Sequence, residues 1–208
     1  MVTYSKPVLE AEYDQVVIID CLPPQQRSAL QISEAVIHSL DSISVAWRRF
    51  DCDTEEKVKA SLSLLASEAA GGKKFPIHLI SHGGEEGLHL QNSVLKWEDL
   101  RPLLQSINQA MAGALIVNMS SCLGLYGIKV VDPEEESLPF FGVVGSDRLL
   151  DYRDAIDLGR RFYVMLHQGG EVDDIVRRIN EDFREGGLSC ISSEGFSKIM
   201  RKVHAEEQ

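Results

Sequence analysis

Apolar residues in this chain fall into two kinds of run. Some are short and unbroken: Gln15-Val16-Val17-Ile18-Ile19-Asp20-Cys21, Phe75-Pro76-Ile77-His78-Leu79-Ile80, Ala114-Leu115-Ile116-Val117-Asn118-Met119 and Phe140-Phe141-Gly142-Val143-Val144-Gly145. Their length and β-branched content predict strands covered on both faces. Others recur every three or four residues, which predicts amphipathic helices. These are Ala29, Ile32, Val36, Leu40 and Ile43; Val58, Leu62, Leu65 and Ala69; Trp97, Leu100, Leu104 and Ile107; Ala155, Leu158, Phe162 and Met165; and Val172, Ile175, Val176, Ile179 and Phe183.

Breakers sit between the runs. Leu22-Pro23-Pro24 closes the first strand, because two prolines can continue neither a strand nor a helix interior. Val45 to Phe50 reads as an edge strand, since it carries Arg48 and Arg49. Asp53 followed by Glu56 predicts a capping box, and Gly71-Gly72 ends the helix that follows. Leu88 to Leu90 and Val94-Leu95 form a small hairpin, and Pro102 predicts that the next helix begins its regular turns near Arg101. Asp132 to Ser137 is an acidic, solvated loop. Gly169-Gly170 and Gly186-Gly187 stop two later helices, and the tail holds a strand-like patch, Leu188 to Ser192, before a basic helix-like end. Strands alternating with helices predict an α/β fold, a three-layer sandwich with a mostly parallel sheet. Residues 14–208 make one such domain behind a polar lead-in, 1–13.

Composition changes this picture little but excludes some partners. A net charge of −11 argues against nucleic acid and against an anionic membrane surface. No stretch approaches the roughly 18 apolar residues of a spanning helix, and Met1 to Tyr13 lacks a signal-peptide core. A cytoplasmic protein is the expectation. Its cysteines, at 21, 52, 122 and 190, follow no pairing pattern and are expected as free thiols.

In sheets of this kind functional groups gather at the carboxyl ends of strands. Two strands there end in chemistry: one in Ser81-His82-Gly83-Gly84, the other in Ser120-Ser121-Cys122-Leu123-Gly124. A cysteine attacks a carbonyl as thiolate, and a neighbouring imidazole can take its proton. The resulting oxyanion needs fixed N–H donors, for which Gly83, Gly84 and the Cys122 amide are candidates. Other readings stand beside this one. A cysteine after a buried strand is commonly an inert thiol, and His-Gly at a strand end is commonly a turn. A serine hydrolase would need a G-x-S-x-G turn, which is absent. Zinc on His78, His82 and Cys122 lacks a fourth ligand at metal-like spacing, and no cofactor is called for. A nucleotide binder would need a glycine-rich turn where Leu22-Pro23-Pro24 stands.

The two strand ends in this order resemble the caspase-like (clan CD) cysteine peptidases. Within them they look like the CHAT proteases, bacterial relatives of caspases and separase. A third block agrees: Val143-Val144-Gly145-Ser146, then acidic residues, then Phe162-Tyr163, Leu166 and Gly169-Gly170. The resemblance runs from about Val16 to Phe183. It implies a caspase-hemoglobinase sandwich and peptide-bond hydrolysis through a thioester on a limited set of protein substrates. It further implies Cys122 as nucleophile, His82 as general base, and Gly83 with the Cys122 amide as oxyanion hole. Members of the family often hold a basic substrate residue with an acid, in some cases two positions before the cysteine. Ser120 occupies that place here, leaving Asp147, Asp151 and Asp154 as substrate-binding candidates, or as a capping, solvated acidic turn. The family's closing strand is hard to find between Leu188 and Gln208. Caspases are cut in the loop after the cysteine strand, where this chain has Asp132 to Ser137. Its one Asp bond precedes Pro133, so a single-chain enzyme is expected. A separate activating or sensor protein would then switch it on. The alternative is a caspase-like interaction or scaffold protein without catalysis.

Overall fold

The computed structural model describes residues 12–120, 122–182 and 187–206. Residues 1–11 of the expected lead-in, together with Ser121, Phe183 and Gly186, lie outside them. Tyr13 is not loose: it packs against the core, while Asp14 accepts from the Lys74 amide at 2.9 Å.

Strand β1 (Val16–Asp20) is buried along its whole length, and alternate residues serve opposite faces. Val17 and Ile19 join one hydrophobic cluster, Val16 and Ile18 another. This is the physical reason for an unbroken apolar run, since every side chain has a core to enter. Short helix α1 (Pro24–Leu30) and α2 (Ile32–Ser42) lead to β2 (Trp47–Asp51), and α3 (Glu55–Ala70) leads back to β3 (Ile77–Ile80). After β3 come three short strands, β4 (His82–Gly83), β5 (Gly87–His89) and β6 (Val94–Lys96), then α4 (Trp97–Ala110) and β7 (Ile116–Ser120). A 3-10 helix (Gly124–Val130) precedes β8 (Gly142–Gly145), which is followed by α5 (Tyr152–His167), α6 (Val172–Asp182), β9 (Ser189–Ser192) and α7 (Ser193–Glu206).

The main sheet has the order β2-β1-β3-β7-β8-β9. Its first five strands are parallel, and β9 runs antiparallel to β8. Helices α3 and α4 pack together, with Val58, Leu62, Leu100 and Leu104 in one core; α2 and α5 pack together, with Val36, Leu40, Leu158 and Phe162 in the other. The layers are therefore helix, sheet, helix, as the alternation predicts. The strand-like patch near the C-terminus is the closing edge, and β2 is the opposite edge.

Four local readings change. The helix spanning Ala29 to Ile43 breaks at Gln31, which is left-handed at φ 50° and caps both pieces. Thr54, not Asp53, caps α3, accepting from Lys57 N at 3.4 Å, while Asp53 pairs with Lys57 through its side chain. Helix α4 starts at Trp97, so Pro102 lies inside it and one helical hydrogen bond is forfeited. The early start is held from outside: Trp97 is 3% exposed, its amide donates to Glu86 O and its indole to Gly84 O at 3.2 Å. Finally, β3 ends at Ile80, and His82 belongs to a second, three-stranded sheet of β4, β5 and β6. Among the described residues no helix is long and apolar enough to cross a membrane.

Candidate active site

The strand order reverses between β1 and β3: the chain leaves β1 toward β2 and leaves β3 toward β7. Connections that diverge in this way open a crevice at the carboxyl ends of the strands. The β1 exit, Cys21 to Gln26, and the β3 exit, Ser81 to Gly84, flank this reversal point. On the other side of β3, Ile80 is in register with Ser120 of β7. His82 and Cys122 each follow two residues later, so the two groups singled out by sequence leave neighbouring central strands at the same rim.

His82 is exposed, and its Nε2 bonds to Gln26 Oε1 on α1. Ser81 Oγ donates to the carbonyls of His82 and His89 at 3.1 and 3.4 Å, fixing the bend between the two sheets. Cys122 is half-buried, and its thiol donates to Leu150 O at 3.6 Å. Each member of the pair is thus bonded to a group other than its partner. Leu123, immediately after, has φ 55°, a left-handed conformation that costs a bulky residue roughly 1–3 kcal/mol. The turn is held in place by Leu123 N donating to Arg148 O (2.9 Å) and Leu125 N to Ser146 O (3.0 Å). Gly145 permits this docking, because a Cβ there would lie 2.8 Å from the Gly124 carbonyl carbon.

The glycines beside His82 divide their roles. Gly84 N donates to Gly87 O at 3.0 Å, so its amide is spent. Its missing side chain makes room for the His89 ring, whose Nε2 would be 2.5 Å from a Cβ. Antiparallel ladders alternate bonded and non-bonded pairs, so the Gly83–Leu88 pair next to it is non-bonded. Because β4 is an edge strand, the Gly83 amide faces the open side. Of the two glycine amides, only that of Gly83 remains as a donor among the described residues.

The acidic candidates scatter. Asp151 is the N-cap of α5, accepting from Arg153 N at 2.8 Å. Asp147 is exposed and lies 3.7 Å from the Arg148 guanidinium; Asp154 is half-buried in the first turn of α5. All three follow β8, on the segment that also supplies Leu150 O to the thiol, with exposed Leu149 and Tyr152 between them. Ser120 N and O belong to β7.

The other thiols are chemically quiet. Burial pushes Cys21 well above the ordinary thiol range and raises Cys52; burial, with Asp173 nearby, pushes Cys190 up to about 12. Asp20 at the end of β1 is 1% exposed, and burial raises its carboxyl although Ser33, the Leu22 amide and Arg27 all favour its charge. His78 points into the α2–α5 core, far from solvent at 0% exposure, rather than joining His82. No cluster of His, Cys, Asp or Glu among the described residues could hold a metal ion. Gln26 and Leu150, which hold the imidazole and the thiol, carry no sequence signal: one is an exposed glutamine, the other acts through its main chain. The chain matches neither a protein-family model nor a curated protein.

Proposed function

We propose that the chain is a cysteine endopeptidase of the caspase-like kind, in its CHAT branch, that cuts a limited set of cytoplasmic proteins. The observation that carries this reading is the register of Ile80 with Ser120, which sets His82 and Cys122 on one rim of two adjoining strands. The antiparallel edge strand β9 supports it too, as a counterpart of the closing strand that the resemblance implies. In the proposed cycle Cys122 gives its proton to His82 and the thiolate attacks the scissile carbonyl. The Gly83 and Cys122 amides receive the oxyanion. His82 returns the proton to the leaving amine, and water then releases the thioester with His82 again as base. Ser120, two positions before the thiol, and Asp147, Asp151 and Asp154, on the segment after β8, are the substrate-binding residues of this reading. The bonds of Cys122 to Leu150 and of His82 to Gln26 support a resting enzyme that a substrate or a separate activating protein completes.

The same two bonds favour one competitor, an interaction protein on this fold without catalysis. A peptide chloromethylketone separates the two. A peptidase labels at Cys122, and His82→Ala or Cys122→Ala abolishes both labelling and cleavage of a peptide library. Labelling that is indifferent to His82 selects the scaffold, and cleavage surviving Cys122→Ala overturns the peptidase.

A further inference from the structure

Among the described residues no carboxylate bonds to His82, yet its ring is held. The bond from Nε2 to Gln26 Oε1 crosses the crevice between the β1 and β3 exits. Gln26 is not a loose surface side chain at its root. The next residue, Arg27, ties α1 to the end of β1: its Nη2 donates to Leu22 O at 2.8 Å and Asp20 O at 3.2 Å, and its Nε lies 3.3 Å from the Asp20 carboxylate. The β1 end is in turn bonded to β3, Cys21 N donating to Ile80 O at 2.8 Å. The main chain that carries Gln26 is therefore tied, through the ends of β1 and β3, to the segment that leads into His82.

The geometry points to Gln26 as the positioning residue of the His82 base, a role that rests on the peptidase reading above. An amide oxygen can only accept, so it selects the imidazole tautomer with hydrogen on Nε2. The lone pair then sits on Nδ1. When Cys122 is deprotonated, the proton leaves Sγ for Nδ1, and the imidazolium keeps its Nε2–H on Gln26. A peptide lying over the rim would shield this bond from water and strengthen it. Glutamine, unlike a carboxylate, orients the ring without adding charge to a protein that is already at −11.

The test uses two variants of the full chain. Gln26→Met keeps the length and removes the acceptor; Gln26→Glu keeps the acceptor. Iodoacetamide alkylation of Cys122 is followed from pH 5 to 9, and the His82 tautomer is read from ¹⁵N shifts. Gln26→Met is expected to lower the alkylation rate at pH 7 by ~10-fold, a fraction of the roughly 10²–10⁴ that a general base supplies, and to mix the two tautomers. Gln26→Glu is expected to restore the rate and the Nε2–H form, and to move the imidazole limb of the pH profile upward. If His82→Ala slows alkylation while Gln26→Met changes neither rate nor tautomer, the positioning role is overturned and the dyad stands. If His82→Ala itself has no effect, the peptidase reading is what fails.

Discussion

Arg27 sets its Nε 3.3 Å from Oδ1 of Asp20, the two side chains being 11% and 1% exposed. A second contact, to Asp51 at 3.2 Å, links the ends of β1 and β2 through the same cation. Removing one partner of a buried pair leaves an uncompensated charge, which costs far more than the net worth of the pair. Arg27→Met is therefore expected to destabilise the fold by about 3 kcal/mol, read from urea unfolding at pH 7. Adding Asp20→Asn should recover part of that loss, since the stranded charge is gone. A double variant as unstable as the sum of the two single ones would show that the pair is not coupled.

His78 makes a different prediction, because its problem is the absence of a partner. Neither ring nitrogen has a hydrogen bond among the described residues, and burial pushes its pKa down to about 3. The ring instead packs edge-on against Tyr163, with centroids 5.4 Å apart. A folded pKa below the unfolded value of about 6.5 means that the unfolded chain takes up a proton the folded one refuses. This penalty is absent above pH 6.5 and grows as pH falls toward 3, by about 1.4 kcal/mol per pH unit. Between pH 6.5 and 5 wild type should lose roughly 2 kcal/mol more than His78→Phe or His78→Leu. Equal acid sensitivity in wild type and both variants would show that this ring does not titrate on unfolding.

Much of this architecture was legible because burial on both faces leaves a simple mark on a strand. The run from Val16 to Ile19 reads as a strand covered on both faces, and Arg48 and Arg49 mark β2 as an edge. That His82 and Cys122 leave neighbouring strands at one rim was legible, since strand ends in a parallel sheet share it. What escaped is instructive. A two-residue strand such as His82–Gly83 has no period to detect, so the handover of His82 to a second sheet was invisible. Trp97 began α4 early because its indole found Gly84 O, a tertiary bond that outweighs the local signal of Pro102. Residues 124–130, for which the pattern predicts no element, form a 3-10 helix, and there the docking against β8 decides. Gln26 was silent, because a polar residue on an exposed helix face looks the same whether or not an imidazole lies within reach.

The acidic stretch from Asp132 to Ser137 reads from composition as a solvated insertion or a regulated loop, and its contacts favour a held one. Arg101 of α4 donates to Val130 O at 2.7 Å and lies 3.2 Å from the Asp132 carboxylate; Gln105 donates to Ser137 O at 2.8 Å and Asn108 to Leu138 O at 2.9 Å. From the other side, Arg201 of α7 donates to the carbonyls of Pro133 and Glu135. Exposed ion pairs contribute little, but most of these bonds hold main-chain carbonyls and fix the loop's path. Proteolysis of a native loop samples its locally opened state, so cutting should report these bonds directly. A glutamate-specific protease is expected to spare Glu134 to Glu136 in wild type. Arg101→Ala with Arg201→Ala should raise the cutting rate there by at least about tenfold, given about 1 kcal/mol per lost bond. Intact mass after prolonged incubation of wild type alone should remain that of the full chain. A spontaneous cut between Lys129 and Leu138 would mean instead that the loop is released and processed, despite Pro133 and both arginine clasps.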